Sequence, residues 1–160
     1  MLGPTPSATC PLSPPLRAVP LPPDRSPARR LVHWAVEAAA VSVPEVRASM
    51  RRALEDWHVA PERIEVLLLV GSELLANAVR HAGGVAGRLC ATVTLAGGWV
   101  QLDVADGDPR LPHVGLDAGG EAEGGRGLAI VDFLVGEAGG DLAAFRVLSG
   151  KVVRVRIPAA

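Results

Sequence analysis

The sequence predicts an α+β protein: a two-layer α/β sandwich whose mostly antiparallel sheet carries its helices on one face. Three observations lead there. Two long segments of helical period follow one another, from Ser42 to about Trp57 and from Glu62 to Ala82. Further on the period drops to two, and alternating runs (RLCATVTL with WVQLDVA, AAFRVL with VVRVRI) face each other across short glycine-bearing turns. Between these two hairpins lies one more short helical stretch, RGLAIVDFLV.

Each element has a local reason. Nine of the 14 prolines fall between Pro4 and Pro27, and rings at that density remove donors and fix φ too often for a helix or central strand. Residues 1–33 are therefore expected to form a disordered Pro-rich tail, and residues 34–160 the domain. WAVEAAAVSV, residues 34–43, reads as a first strand. Ser42 and Glu45 form S-x-x-E with Pro44 in the first turn, so the first helix should open on a capping box. Its buried face would carry Val46, Met50, Ala53, Leu54 and Trp57. The second helix starts at Ala60-Pro61-Glu62, buries Ile64, Leu67, Leu68, Leu75, Ala78 and Val79, and stops at Gly83-Gly84. Gly97-Gly98 and Ser149-Gly150 read as the hairpin turns. The Gly-, Asp- and Pro-rich stretch from Asp106 to Gly125 is too irregular for an element and long enough to suggest a functional loop.

Composition narrows the function classes. At 160 residues, with 49% apolar and 21% charged residues, the chain can bury one ordinary core. Aromatic residues make up 3% and Tyr is absent, which argues against a base-stacking platform. A net charge of −1 offers no basic field, so no direct contact with nucleic acid is expected. Cys10 and Cys90 are too few for a disulfide framework or a tetrahedral zinc site, and Cys90, inside an alternating strand, reads as a small core residue. Neither a bilayer-length apolar run nor a basic n-region is present, so a cytoplasmic location without membrane contact is expected.

Three clusters carry chemistry. Glu73, Asn77 and His81 recur at i, i+4 and i+8, within roughly 80° of one another on the long helix. Buried and unpaired, each would cost about 1–3 kcal/mol, so the stripe must face solvent or a polar ligand. A carboxylate one turn from an amide suits Mg²⁺ and phosphate: the amide oxygen binds the metal and the carboxylate polarises a nucleophile. Asp106-Gly107-Asp108 ends a strand, where an Asp could accept from the amino group of a bound base and Gly107 would let the base approach. Gly124-Gly125-Arg126-Gly127-Leu128 opens the short helix, whose unpaired N–H groups and dipole favour phosphate, with Arg126 adding a charged donor. Taken singly, the three fit an ordinary helix face, a plain turn and a flexible loop end.

Together and in this order they are far more specific. The chain resembles the GHKL superfamily of Bergerat-fold ATPases, and within it the anti-sigma-factor serine kinases of actinobacterial type. SELLANAVRHA is similar to that family's N-box, VADGDPRLP to its adenine box and GGRGLAIVD to its glycine box, over about residues 36–157. The resemblance implies ATP and Mg²⁺ as cofactors, Glu73 as general base and Asn77 as the Mg²⁺ ligand. It makes Asp106 the adenine contact and Gly125 and Gly127 the phosphate cradle, with Gly107 and Leu128 among the cofactor-binding residues. Arg80, His81 and Arg126 become further contacts. The pattern also departs from the family: Asp108 and Pro109 stand where glycines are frequent, and Val152 follows Gly150-Lys151 where a Thr commonly lies.

Such a resemblance implies an ATP-binding regulatory protein. It would phosphorylate an anti-sigma-factor antagonist protein, sequester a sigma factor, or do both, with room for a homodimer. The alternative is a non-catalytic nucleotide-binding adaptor that acts by protein–protein contact only.

Overall fold

A computed structural model describes residues 29–82, 87–112 and 123–160. The elements follow the expected order: β1 (Arg30–Glu37), α1 (Ser42–Asp56), α2 (Pro61–Ala82), β2 (Arg88–Ala96), β3 (Trp99–Asp106), α3 (Glu123–Glu137), β4 (Asp141–Val147) and β5 (Gly150–Pro158). All four strand pairings are antiparallel and the sheet order is β1-β2-β3-β5-β4. The last strand thus lies between β3 and β4, beside the end of the first hairpin.

One face of the sheet meets the helices. Leu89, Ala91 and Val93 of β2, Val100, Leu102 and Val104 of β3, and Val153, Val155 and Ile157 of β5 pack against Leu67, Leu74 and Leu75 of α2 and Val131 and Val135 of α3. Alternation at period two sends these residues to one side, and the apolar stripes of the helices cover them. Trp34 joins this layer from β1, its indole N–H donating to Ser49 Oγ of α1 at 3.0 Å. The opposite face holds Cys90, Ala105 and Val152 as a second buried group, and a polar row in which Arg154 forks onto Asp103 at 2.8 and 3.0 Å. Cys90 is buried.

Four local readings are corrected. The first strand runs over Arg30–Glu37, not residues 34–43, and takes in Arg30–His33 from the segment assigned to the tail. Its register is set by β2, from Arg30 opposite Leu95 to Glu37 opposite Arg88, after which the Ala-rich run turns. The capping box does not form: Val41 is the N-cap, without a side-chain cap, and Ser42 lies inside the helix. Ahead of it, the amides of Ser42 and Val43 donate to Ala39 and Ala40 carbonyls, so a backbone turn leads into the helix. The closing hairpin turns on Leu148-Ser149, with Gly150 already paired to Val147. The third helix is longer than RGLAIVDFLV and begins at Glu123, which places Gly124 and Gly125 in its first turn. The stop at Gly83-Gly84 lies outside the described residues. Among the described residues, no helix is long and apolar enough to cross a membrane.

Candidate nucleotide site

The polar stripe of α2 meets the start of α3. Glu73 and Asn77 are half-buried, one turn apart, between fully buried Leu74, Leu75 and Ala78. Gly127 of α3 presses on them. A Cβ at residue 127 would stand 2.9 Å from Glu73 Oε2 and 3.9 Å from Asn77 Nδ2. Glycine therefore lets the start of α3 approach the Glu73 carboxylate, which any larger residue at this position would crowd. Gly124 and Gly125 precede it in the first turn of α3, where backbone N–H groups lack intrahelical partners. Leu128, next along, is buried in the core and holds this end of the helix down.

The remaining stripe residues divide. Arg80 is exposed, and its Nη2 donates to Asn77 Oδ1 at 2.5 Å. His81 is exposed. The side chain of Arg126 lies outside the described residues.

The second cluster is built at the end of β3. Val100, Leu102 and Val104 face the core, so the period of two points Asp106 to the same side, where it is 3% exposed. Gly150 brings β5 against it: with φ of 147°, a Cβ there would collide with the Asp106 carbonyl and lie 2.8 Å from Gly107 Cα. The pairing sets Lys151 opposite Asp106. Lys151 Nζ donates to Asp106 Oδ1 at 2.9 Å and to the Asp108 carbonyl at 3.2 Å, and both side chains are buried. The same Oδ1 accepts the Asp108 amide at 2.9 Å. Lys151 belongs to this buried cluster, and motif reading missed it. It is the single lysine of the chain, a visible signal, yet only the register of β5 shows its partner.

Asp108 stands where a glycine is frequent and performs a separate task. Its carboxylate takes the Arg110 guanidinium through Nε at 3.0 and 3.1 Å and through Nη2 at 3.0 Å, and also accepts the Arg110 amide. The side-chain bonds from Arg110 hold its pKa down to about 2, against the opposing effect of burial. A carboxyl with a depressed folded pKa contributes stability above its unfolded value near 3.8, and loses it as pH falls toward 2. In an acid melt, Asp108→Asn should therefore lie below wild type at neutral pH and converge with it between about pH 4 and pH 2. Parallel curves across that range would remove this ion pair from the loop's stability.

On the helix face of β4 and β5, an apolar cavity of about 180 Å³ lies between Pro112, Leu128, Asp132, Ala144 and Val153, lined by none of Glu73, Asn77, Asp106 and Lys151. Val153 is two residues along β5 from Lys151, and Leu128 adjoins Gly127. A cavity, a buried carboxylate–ammonium pair and a half-buried acid–amide stripe thus share the helix side of one sheet.

A two-layer sandwich with this element order, its helices on one face of an antiparallel sheet, defines the fold class. The chain belongs to the histidine kinase-like ATPase domain family, which matches residues 36–157. Among solved structures it is similar to the RsbU and RsbW domains of the protein Rv1364c from Mycobacterium tuberculosis, with a TM-score of 0.61 and 21% identity over 81% of this chain and 32% of that one. A further likeness is to the histidine kinase domain of a blue-light-activated histidine kinase from Erythrobacter litoralis, at a TM-score of 0.48 and 18% identity over 78% of this chain and 62% of that one. The chain thus spans less than two thirds of the length of either, and at these identities the likeness concerns the fold. No curated protein matches the sequence.

Proposed function

We propose that this chain is an ATP-binding regulatory domain of the anti-sigma-factor kinase type. It binds ATP with Mg²⁺ and acts on a small protein partner, phosphorylating a Ser or Thr of an antagonist, sequestering a sigma factor, or both. The observation that carries the reading is the close approach of Gly127 to the Glu73 carboxylate one turn from Asn77, where a Cβ would stand 2.9 Å from Glu73 Oε2. It lies beside the N-terminal turn of α3, so phosphates, metal ligand and base converge on one place. Asn77 would hold Mg²⁺ through its amide oxygen, a donor set that fits a metal which takes few protein ligands and the rest from phosphate and water. When bound, the ion supplies charge neutralisation between phosphate groups. Glu73, half-buried and one turn away, accepts the proton of the attacking hydroxyl. Asp106 receives the amino group of the base through Oδ2, which accepts no hydrogen bond among the described residues.

One observation favours the second reading, a nucleotide-binding adaptor without catalysis: Asn77 Oδ1 is already taken by Arg80. Because Arg80 is exposed, a metal can displace it at the small cost of a surface contact. Calorimetric titration with ATP, in magnesium and in a chelator, tests the shared part of both readings. Saturable binding that weakens on chelation is expected. No binding in either condition would overturn the nucleotide site.

A further inference from the structure

The buried pair Asp106–Lys151 is more than a carboxylate waiting for an amino group. Asp106 Oδ1 is saturated by the Asp108 amide and by Lys151. Its Oδ2 accepts nothing among the described residues. Lys151 Nζ spends two of its three donors, on Asp106 and on the Asp108 carbonyl; the Asp108 carboxylate lies at 3.9 Å, an ion-pair distance but beyond a hydrogen bond. One acceptor and one donor therefore remain side by side in a place where both side chains are under a tenth exposed.

Resting on the nucleotide-site reading above, we infer that Lys151 is a specificity-determining residue that lets this site take 6-oxopurine nucleotides as well as adenine nucleotides. A lone carboxylate only accepts. It suits the 6-amino group of adenine and repels the 6-carbonyl of guanine or hypoxanthine, which would face it unpaired. Adding the ammonium changes that arithmetic. With adenine, Asp106 accepts from the 6-amino group while Lys151 donates to N1. With guanine or hypoxanthine the same two atoms serve in reverse order along the base edge: Lys151 donates to the 6-carbonyl and Asp106 accepts from N1–H. Each base finds two charge-assisted hydrogen bonds, and burial of the pair makes either one count. The 2-amino group of guanine is read by neither atom, so GTP and ITP should behave alike. No proton moves and the pair stays charged throughout.

The 160-residue chain is titrated calorimetrically with ATP, GTP, ITP and the triphosphate of unsubstituted purine riboside, all with magnesium. Wild type should bind GTP and ITP within about tenfold of ATP, and the unsubstituted purine at least about tenfold more weakly than any of them. Lys151→Thr should shift the ATP-to-GTP preference by about 10- to 100-fold toward ATP, because the 6-carbonyl then meets only a carboxylate. If Lys151→Thr does not melt cooperatively, Lys151→Arg keeps the charge and should keep the wild-type preference, while the four-ligand series on wild type still decides. ATP binding with GTP and ITP more than about 100-fold weaker would overturn the inference and leave the ATP site standing. An unchanged preference in folded Lys151→Thr, or full affinity for unsubstituted purine, would also overturn it. Failure of all four ligands would overturn the nucleotide site and this inference together.

Discussion

Glu73→Gln is expected to leave ATP bound while phosphate transfer to a partner falls by about 10²–10⁴, the usual contribution of a general base. Gln preserves the shape that packs beside Gly127 and can still donate or accept, but it cannot take a proton from a hydroxyl. The loss corresponds to about 2.7–5.4 kcal/mol of barrier, all of it in the chemical step. Asn77→Ala should fail differently, weakening ATP in magnesium and narrowing the gap to the chelated state. Radiolabelled ATP with candidate antagonist proteins reads the first variant, and calorimetry the second. Transfer at the wild-type rate by Glu73→Gln would remove Glu73 from the base role. Partner capture by wild type and variant alike, with no transfer by either, would establish the adaptor reading.

Asp106→Ala should do two things at once. The nucleotide loses a charged hydrogen bond worth about 1.5–3 kcal/mol, so ATP affinity falls roughly 10- to 150-fold. The fold also suffers, because Lys151 keeps only the Asp108 carbonyl at 3.2 Å and the Asp108 carboxylate at 3.9 Å. Removing one partner of a buried ion pair costs about 3–5 kcal/mol, which in a domain of this size lowers the melting temperature by about 10 °C or more. The double variant Asp106→Ala with Lys151→Met should recover much of the melting temperature and none of the affinity. Should Asp106→Ala melt like wild type, Lys151 would have found water, and the pair would not be closed to solvent as described.

Much of the fold was legible because its causes are local. The helical stripe through Ile64, Leu67, Leu68, Leu75 and Ala78 follows from 3.6 residues per turn, and those residues are buried. The alternation through Val100, Leu102 and Val104 follows from the pleat, and they too are buried. Boundaries were less legible where a partner sets them. β1 begins at Arg30 because Leu95 of β2 is there to pair with it, and nothing within residues 30–37 announces that. The capping box failed because a backbone turn at Ala39 and Ala40 supplied the helix start before Ser42 was needed.

The candidate site divides along the same line. The sequence by itself determined which residue types are present and where along each element they lie: Glu73 and Asn77 one turn apart, Asp106 at the end of its strand, glycines at the start of α3. Periodicity suffices for that, since it depends only on backbone geometry between near neighbours. Tertiary structure alone decided who meets whom. It brought Gly127 onto Glu73, and it inserted β5 between β3 and β4 so that Gly150 could pass the Asp106 carbonyl and deliver Lys151 to Asp106, 45 residues earlier in the chain. Strand order and register follow from the packing of the whole sheet beneath its helices, a free energy shared among distant residues, and no local pattern in the chain encodes it.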